Sequence, residues 1–127
     1  MPWIPYNPNP RSQAVGDCAI RAVAKATDQS WQAAYSDLVI QGYRYSDLPN
    51  ANYVWGSYLR RKGFKRALIP DSCPDCYTIA DFAYDHPKGM YVVSTGNHVV
   101  AVNDGDYFDS WDSGNEAPIM YWYKEDK

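Results

Sequence analysis

Asn97-His98-Val99-Val100-Ala101-Val102-Asn103-Asp104-Gly105-Asp106-Tyr107-Phe108-Asp109-Ser110-Trp111 is the stretch whose reading decides the fold. The β-branched run from His98 to Val102 predicts a strand. Asp104-Gly105 tolerates positive φ at both positions of a two-residue hairpin loop, so the chain should turn there and return along Tyr107–Trp111. With that loop, Asn103 faces Asp106, Val102 faces Tyr107, Val100 faces Asp109 and His98 faces Trp111. Side chains alternate, so His98, Val100 and Val102 are expected on one face with Tyr107, Asp109 and Trp111. Asp109 is then the diagonal neighbour of His98, roughly 7–8 Å away at the backbone, a span that a carboxylate and an imidazole can close. Asp112 falls on the opposite face and replaces Asp109 only if the register slips by one.

Outward from the hairpin, Met90–Ser94 predicts a strand, Thr95-Gly96-Asn97 a turn and Ile119–Tyr123 a further strand. The first half of the chain has a different period. After Gly16-Asp17, residues Ile20, Val23, Ala24 and Thr27 stand at i, i+3, i+4 and i+7, one buried helix face, with Arg21 and Lys25 on another. Ser30 is an N-cap for a second helix carrying Trp31, Ala34, Tyr35, Leu38 and Val39, which Gly42 can end. A third helix is expected from about Ala51 to Lys62, closed by Gly63. Thr78 and Asp81 form a capping box for a short fourth helix to about Tyr84, and Pro87 stops it. Helices first and an antiparallel sheet afterwards make an α+β domain. Pro2, Pro5, Pro8 and Pro10 impose extended backbone on an N-terminal arm, residues 1–12, with Trp3, Ile4 and Tyr6 as its anchors.

A length of 127 residues suits one domain, 1–127, and 46% hydrophobic residues suffice for a core without staples. The aromatic share of 16%, including 12 Tyr and 5 Trp, suits clefts and interfaces as well as cores. A net charge of −3 lacks the broad electrostatic footprint of a nucleic-acid binder. The basic cluster Arg60, Arg61, Lys62, Lys65 and Arg66 reads as a solvated helix C-terminus in preference to a phosphate-binding patch. No apolar run reaches the roughly 18 residues of a membrane span, and the N-terminus has no basic region followed by an apolar one. A cytoplasmic location and no membrane partner are the expectation. Three cysteines, an odd count, suit a reducing compartment better than a disulfide framework.

Cys18 stands in the first turn of its helix. Backbone N–H groups there lower a thiol's pKa and can hold the oxyanion formed when a thiolate attacks a carbonyl. An imidazole completes the activation, and a carboxylate on its other nitrogen fixes the tautomer. The candidate catalytic set is therefore Cys18, His98 and Asp109, with Asp112 as the rival carboxylate. Cys73-Pro74-Asp75-Cys76 is half a zinc site and lacks the βαβ setting of a redox motif, so its cysteines read as structural thiols ahead of a disulfide or a metal site. His86, before Pro87, reads as a helix-end histidine. No cofactor is implied.

Gly16-Asp17-Cys18 opening a helix, Asn97-His98-Val99-Val100-Ala101-Val102 on a strand, and Asp109-Ser110-Trp111 after it resemble the papain-like cysteine peptidase superfamily. The order Cys, His, then Asn or Asp is that superfamily's, and its third residue is often followed by Ser-Trp. The short chain and the Asp-Cys pair are similar to compact bacterial and phage members, including bacteriocin-leader peptidases and NlpC-type cell-wall endopeptidases. The resemblance spans residues 16 to 112. It implies a papain-like fold and cleavage of a peptide or isopeptide bond in a peptide or protein substrate, and it implies that Trp111 shields the His98 bond from water. Papain-type enzymes place an oxyanion-hole Gln six residues before the Cys. Here Gln13 lies five before Cys18, so Gln13 comes first for that role, with Asn9 and Asn7 behind it. A non-catalytic binding module on the same fold and a phage-type cell-wall endopeptidase are the alternatives.

Overall fold

The computed structural model describes residues 2–13 and 15–124. The ends of the expected 1–127 domain and of its arm therefore lie outside the described residues. In chain order the elements are β1 (Trp3–Pro5), α1 (Cys18–Ala26), α2 (Trp31–Tyr45), α3 (Asn52–Arg61), β2 (Phe64–Leu68), α4 (Ile79–Asp85), β3 (Met90–Ser94), β4 (Val99–Asn103), β5 (Asp106–Asp109) and β6 (Met120–Lys124). The architecture is mixed α+β.

The strands form one sheet in the order β1-β5-β4-β3-β6-β2. The hairpin register is the expected one, with Asn103 opposite Asp106 and Val102 opposite Tyr107, but the ladder ends at Ala101–Phe108, short of the expected Val100–Asp109 and His98–Trp111 pairs, and β5 stops at Asp109 instead of Trp111. Asp104 and Gly105 take φ of 50° and 86°, the left-handed pair that a two-residue loop requires.

The sheet differs from expectation at both edges. It is not wholly antiparallel, because β1 pairs parallel to β5. Proline lacks a ladder donor and is admitted at an edge, and the proline-rich arm supplies that edge. The Tyr107 N–H donates to Pro2 O at 2.9 Å, and the Tyr6 N–H to Asp109 O at 2.8 Å. The other edge, β2, carries Lys65 and Arg66, and Phe64 is its one buried residue. Charged edge strands are soluble without an apolar alternation, which is why this segment reads as a helix end.

Both faces of the central strands are covered. Val92, Val99, Ala101 and Trp122 pack with Val23, Leu38, Trp55 and Leu59 of α1–α3. Val93, Val100, Val102 and Tyr107 pack with Ile79, Phe82 and Ala83 of α4. A strand buried on both sides reads as an unbroken apolar run, as β4 does.

The Ser30 side chain caps α2 by accepting from the Ala33 N–H at 3.1 Å. The Thr78–Asp81 capping box is formed. Gly42 does not end α2, which runs on to Tyr45 and closes at Ser46 in the left-handed region. Its small size serves a close approach instead: a Cβ there would lie 2.6 Å from Asp47 O. Tyr35 and Val39 are exposed, so the buried line of α2 is narrower than its apolar pattern. Cys73 and Cys76 are joined in a disulfide, which corrects their assignment as thiols. Their exposed loop folds so tightly that the two Cα atoms are 4.1 Å apart. No helix among the described residues is long and apolar enough to cross a membrane.

Candidate active site

The site lies at the end of the sheet where β5 finishes and β4 begins, with the start of α1 against it. Its first fixed part is the turn before β4. The Thr95 N–H donates to His98 O at 2.9 Å, and Gly96 takes φ of 104°. The Asn52 side-chain amide of α3 donates to Gly96 O at 3.0 Å. These bonds deliver the imidazole one residue ahead of the strand. There its Nε2 lies 2.7 Å from Asp109 Oδ2. Nδ1 is left for Cys18, whose thiol interacts with the His98 ring and the Val99 N–H. The structure thus brings Cys18, His98 and Asp109 into one chain of contacts.

Asp112 is not part of it. Its carboxylate accepts from the Tyr107 hydroxyl and from the Gly114 N–H. Trp111 packs on the His98 ring with centroids 5.0 Å apart and is itself 45% exposed, so it covers the imidazole from the solvent side.

The electrostatics follow from these contacts. Burial pushes the Cys18 thiol up, but the His98 and Val99 hydrogen bonds and the charges of His98 and Arg21 outweigh it and hold the thiol below its ordinary value. Burial likewise disfavours His98 as a cation, yet the Asp109 and Cys18 bonds and charges raise it to about 9. Asp109 is held below the usual carboxylate range: burial opposes its charge, while donors from His98, Ser113 and Ser110 favour it. A lowered thiol beside a raised imidazole favours a thiolate–imidazolium pair at neutral pH.

Sequence reasoning missed the support behind this pair. Arg21 is not on a solvent face; it is 7% exposed. Its Nη2 donates to Asp109 Oδ1 at 3.1 Å, and its Nη1 donates to the buried carboxylate of Asp17. Trp31 Nε1 donates to the other oxygen of Asp17 at 2.9 Å. Ser113 Oγ donates to Asp109 Oδ2 at 2.6 Å, and the Ser110 N–H to Oδ1 at 2.7 Å. Asp109 is therefore both fully hydrogen-bonded and neutralised, as a buried carboxylate must be. The spacing of Asp17 and Arg21, four apart on a helix, was the signal available for this pair.

The same arrangement leaves α1 without a side-chain cap. Asp17 occupies the N-cap position but spends its carboxylate on Arg21 and Trp31. The N–H groups of the first turn, that of Cys18 among them, are therefore left uncapped by it.

The cleft has a volume of about 630 Å³, and Asn7, Gln13, Cys18, Asn97, His98 and Trp111 line it. Gln13 thus shares the cleft with Cys18, as does Asn7. Asn9 is not on the cleft wall: its side-chain oxygen accepts from the Arg11 N–H at 2.9 Å and shapes the bend of the arm. His86 is remote in role, with Nδ1 2.7 Å from Phe82 O and its ring stacked on Phe82.

Comparison of the chain with family models, curated proteins and solved structures gave no match. What the site can do is therefore read from its own chemistry. An activated sulfur, a proton carrier beside it, donors at a helix start and an open cleft are the parts that acyl transfer needs.

Proposed function

We propose that this chain is a papain-like cysteine hydrolase that cleaves a peptide or isopeptide bond through a thioester. The observation that carries the reading is the unbroken path from the Cys18 sulfur through the His98 ring to the buried Asp109 carboxylate, opening on a cleft. The Cys18 thiolate adds to the substrate carbonyl carbon, and the carbonyl electron pair moves to oxygen. Donors for that oxyanion are the Cys18 N–H and the Gln13 side-chain amide. The oxyanion collapses and the C–N bond breaks, and the Nδ1 proton of His98 goes to the departing nitrogen. The acyl group is now on sulfur. Water then adds to the thioester and gives its proton to His98, and the C–S bond breaks. The acid leaves and the thiolate–imidazolium pair is restored. Asp109 keeps the imidazole in one tautomer throughout.

An electrophilic peptide probe and a panel of fluorogenic peptides test this. The probe should attach to Cys18, and Cys18→Ala should lose turnover on the order of 10⁶-fold, as when a triad nucleophile is removed. A native protein that neither takes the probe nor turns over any peptide would favour a binding module.

A further inference from the structure

A second cavity, of about 670 Å³, lies between α3 and the β2–β6 edge of the sheet. Its walls are of two kinds. Tyr45 and Tyr53 are exposed aromatic rings and Trp55 and Trp122 buried ones, whereas Arg60, Arg61 and Arg66 are cationic and exposed, and no carboxylate lines the cavity among the described residues. The guanidinium of Arg60 sits over the Trp122 ring, 5.4 Å from its centroid. That stacking orients the fork while leaving its N–H edges free. The other polar side chains are already committed. Asn52 bonds Gly96 O and Trp55 Nε1, and Ser57 donates to Val54 O while accepting from Gln41. Trp122, 4% exposed, carries the one buried side-chain donor among the described residues with no acceptor, its Nε1–H. The exposed guanidiniums of Arg60, Arg61 and Arg66 have no carboxylate partner among the described residues, in a chain whose net charge is −3.

We propose that this cavity binds a phosphate monoester whose organic group contains a planar ring. Three guanidiniums suit a group with nearly two negative charges and three acceptor oxygens. The exposed rings of Tyr45 and Tyr53 suit a flat ring, and the volume falls in the range of small-ligand pockets. The expected solvated helix end is thus, in part, the rim of a binding site. The proposal does not depend on the chemistry at Cys18.

The test is calorimetric titration of the intact protein with AMP and phenyl phosphate, with adenosine and inorganic phosphate as separate arms. At least one ring phosphate should bind saturably, at least tenfold tighter than either part alone, and more weakly as salt is added. If AMP and phenyl phosphate differ, the tighter one identifies the ring the walls prefer. Arg60→Ala with Arg66→Ala should weaken that binding at least tenfold. Lys88→Ala, which removes a charge elsewhere, should leave it unchanged. Circular dichroism checks that the variants are folded, and Arg66→Ala alone, on the edge strand, should still show a measurable loss. The proposal is overturned if neither ring phosphate binds saturably, if inorganic phosphate binds as tightly as both, or if the arginine variants bind like the native protein.

Discussion

At the start of α1, Cys18 is half-buried, with the His98 ring and the Val99 N–H on its sulfur. In the loop between β2 and α4, Cys73 and Cys76 are exposed and bonded to each other. The first thiol is free, and it is held below its ordinary value because donors and cations converge on it. The other two have a partner three residues away and no activating group. Thiol chemistry is set by what the fold brings to the sulfur. Two carboxylates repeat the lesson. Asp109 is 1% exposed and receives His98, Arg21, Ser110 and Ser113, whereas Asp112, three residues on, is exposed and receives Tyr107 and Gly114.

The largest effect that would break or sharpen this contrast is on turnover. Asp109→Asn should lower kcat by about 10³-fold, somewhat less than the roughly 10⁴ of a serine triad, because a thiolate–imidazolium pair leans less on its third member. Asp112→Asn should stay within a few-fold. Equal losses in the two variants, measured on one peptide, would dissolve the distinction between them.

Stability comes next. Arg21→Met leaves the Asp17 carboxylate buried without its cation and Asp109 with His98 alone. Breaking a buried pair of this kind costs about 3–5 kcal/mol. Urea unfolding at neutral pH should show that loss, and an unfolding midpoint unmoved by the change would remove Arg21 from the support of the site.

The smallest effect is expected at the disulfide. It closes a loop of sequence separation 3, so chain entropy limits its contribution to about 2 kcal/mol. Replacing Cys73 and Cys76 by Ser should cost no more than that and leave Cys18 reactivity unchanged. A slower Cys18 in that variant would mean that the two regions are coupled.

Much of the site was legible because it depends on short-range geometry. Asp104-Gly105 admits one tight loop, the loop sets the register, and the register sets which aspartate meets His98. The helix start at Cys18 was legible from Gly16-Asp17 and the period that follows. What was not legible is long-range or edge structure. β1 is a strand because it borrows the backbone of β5, and nothing in a run of four prolines announces that. β2 lies on an edge and is too charged to alternate. Arg21 reads as a solvent residue until Asp17 and Asp109 are known to meet it from two different elements.

The central claim, that Cys18 is ionised by His98, is tested most directly by the pH dependence of alkylation. Iodoacetamide without reductant leaves Cys73 and Cys76 closed, so Cys18 is the thiol that reports. Its alkylation should rise at lower pH than that of a free cysteine peptide, because the thiol is held below its ordinary value. A second change in rate is expected near pH 9, where the raised His98 gives up its proton and the charge facing the thiolate disappears. In His98→Ala the first rise should move to higher pH and the second should vanish. A native profile that matches the peptide, unchanged by His98→Ala, would contradict the account.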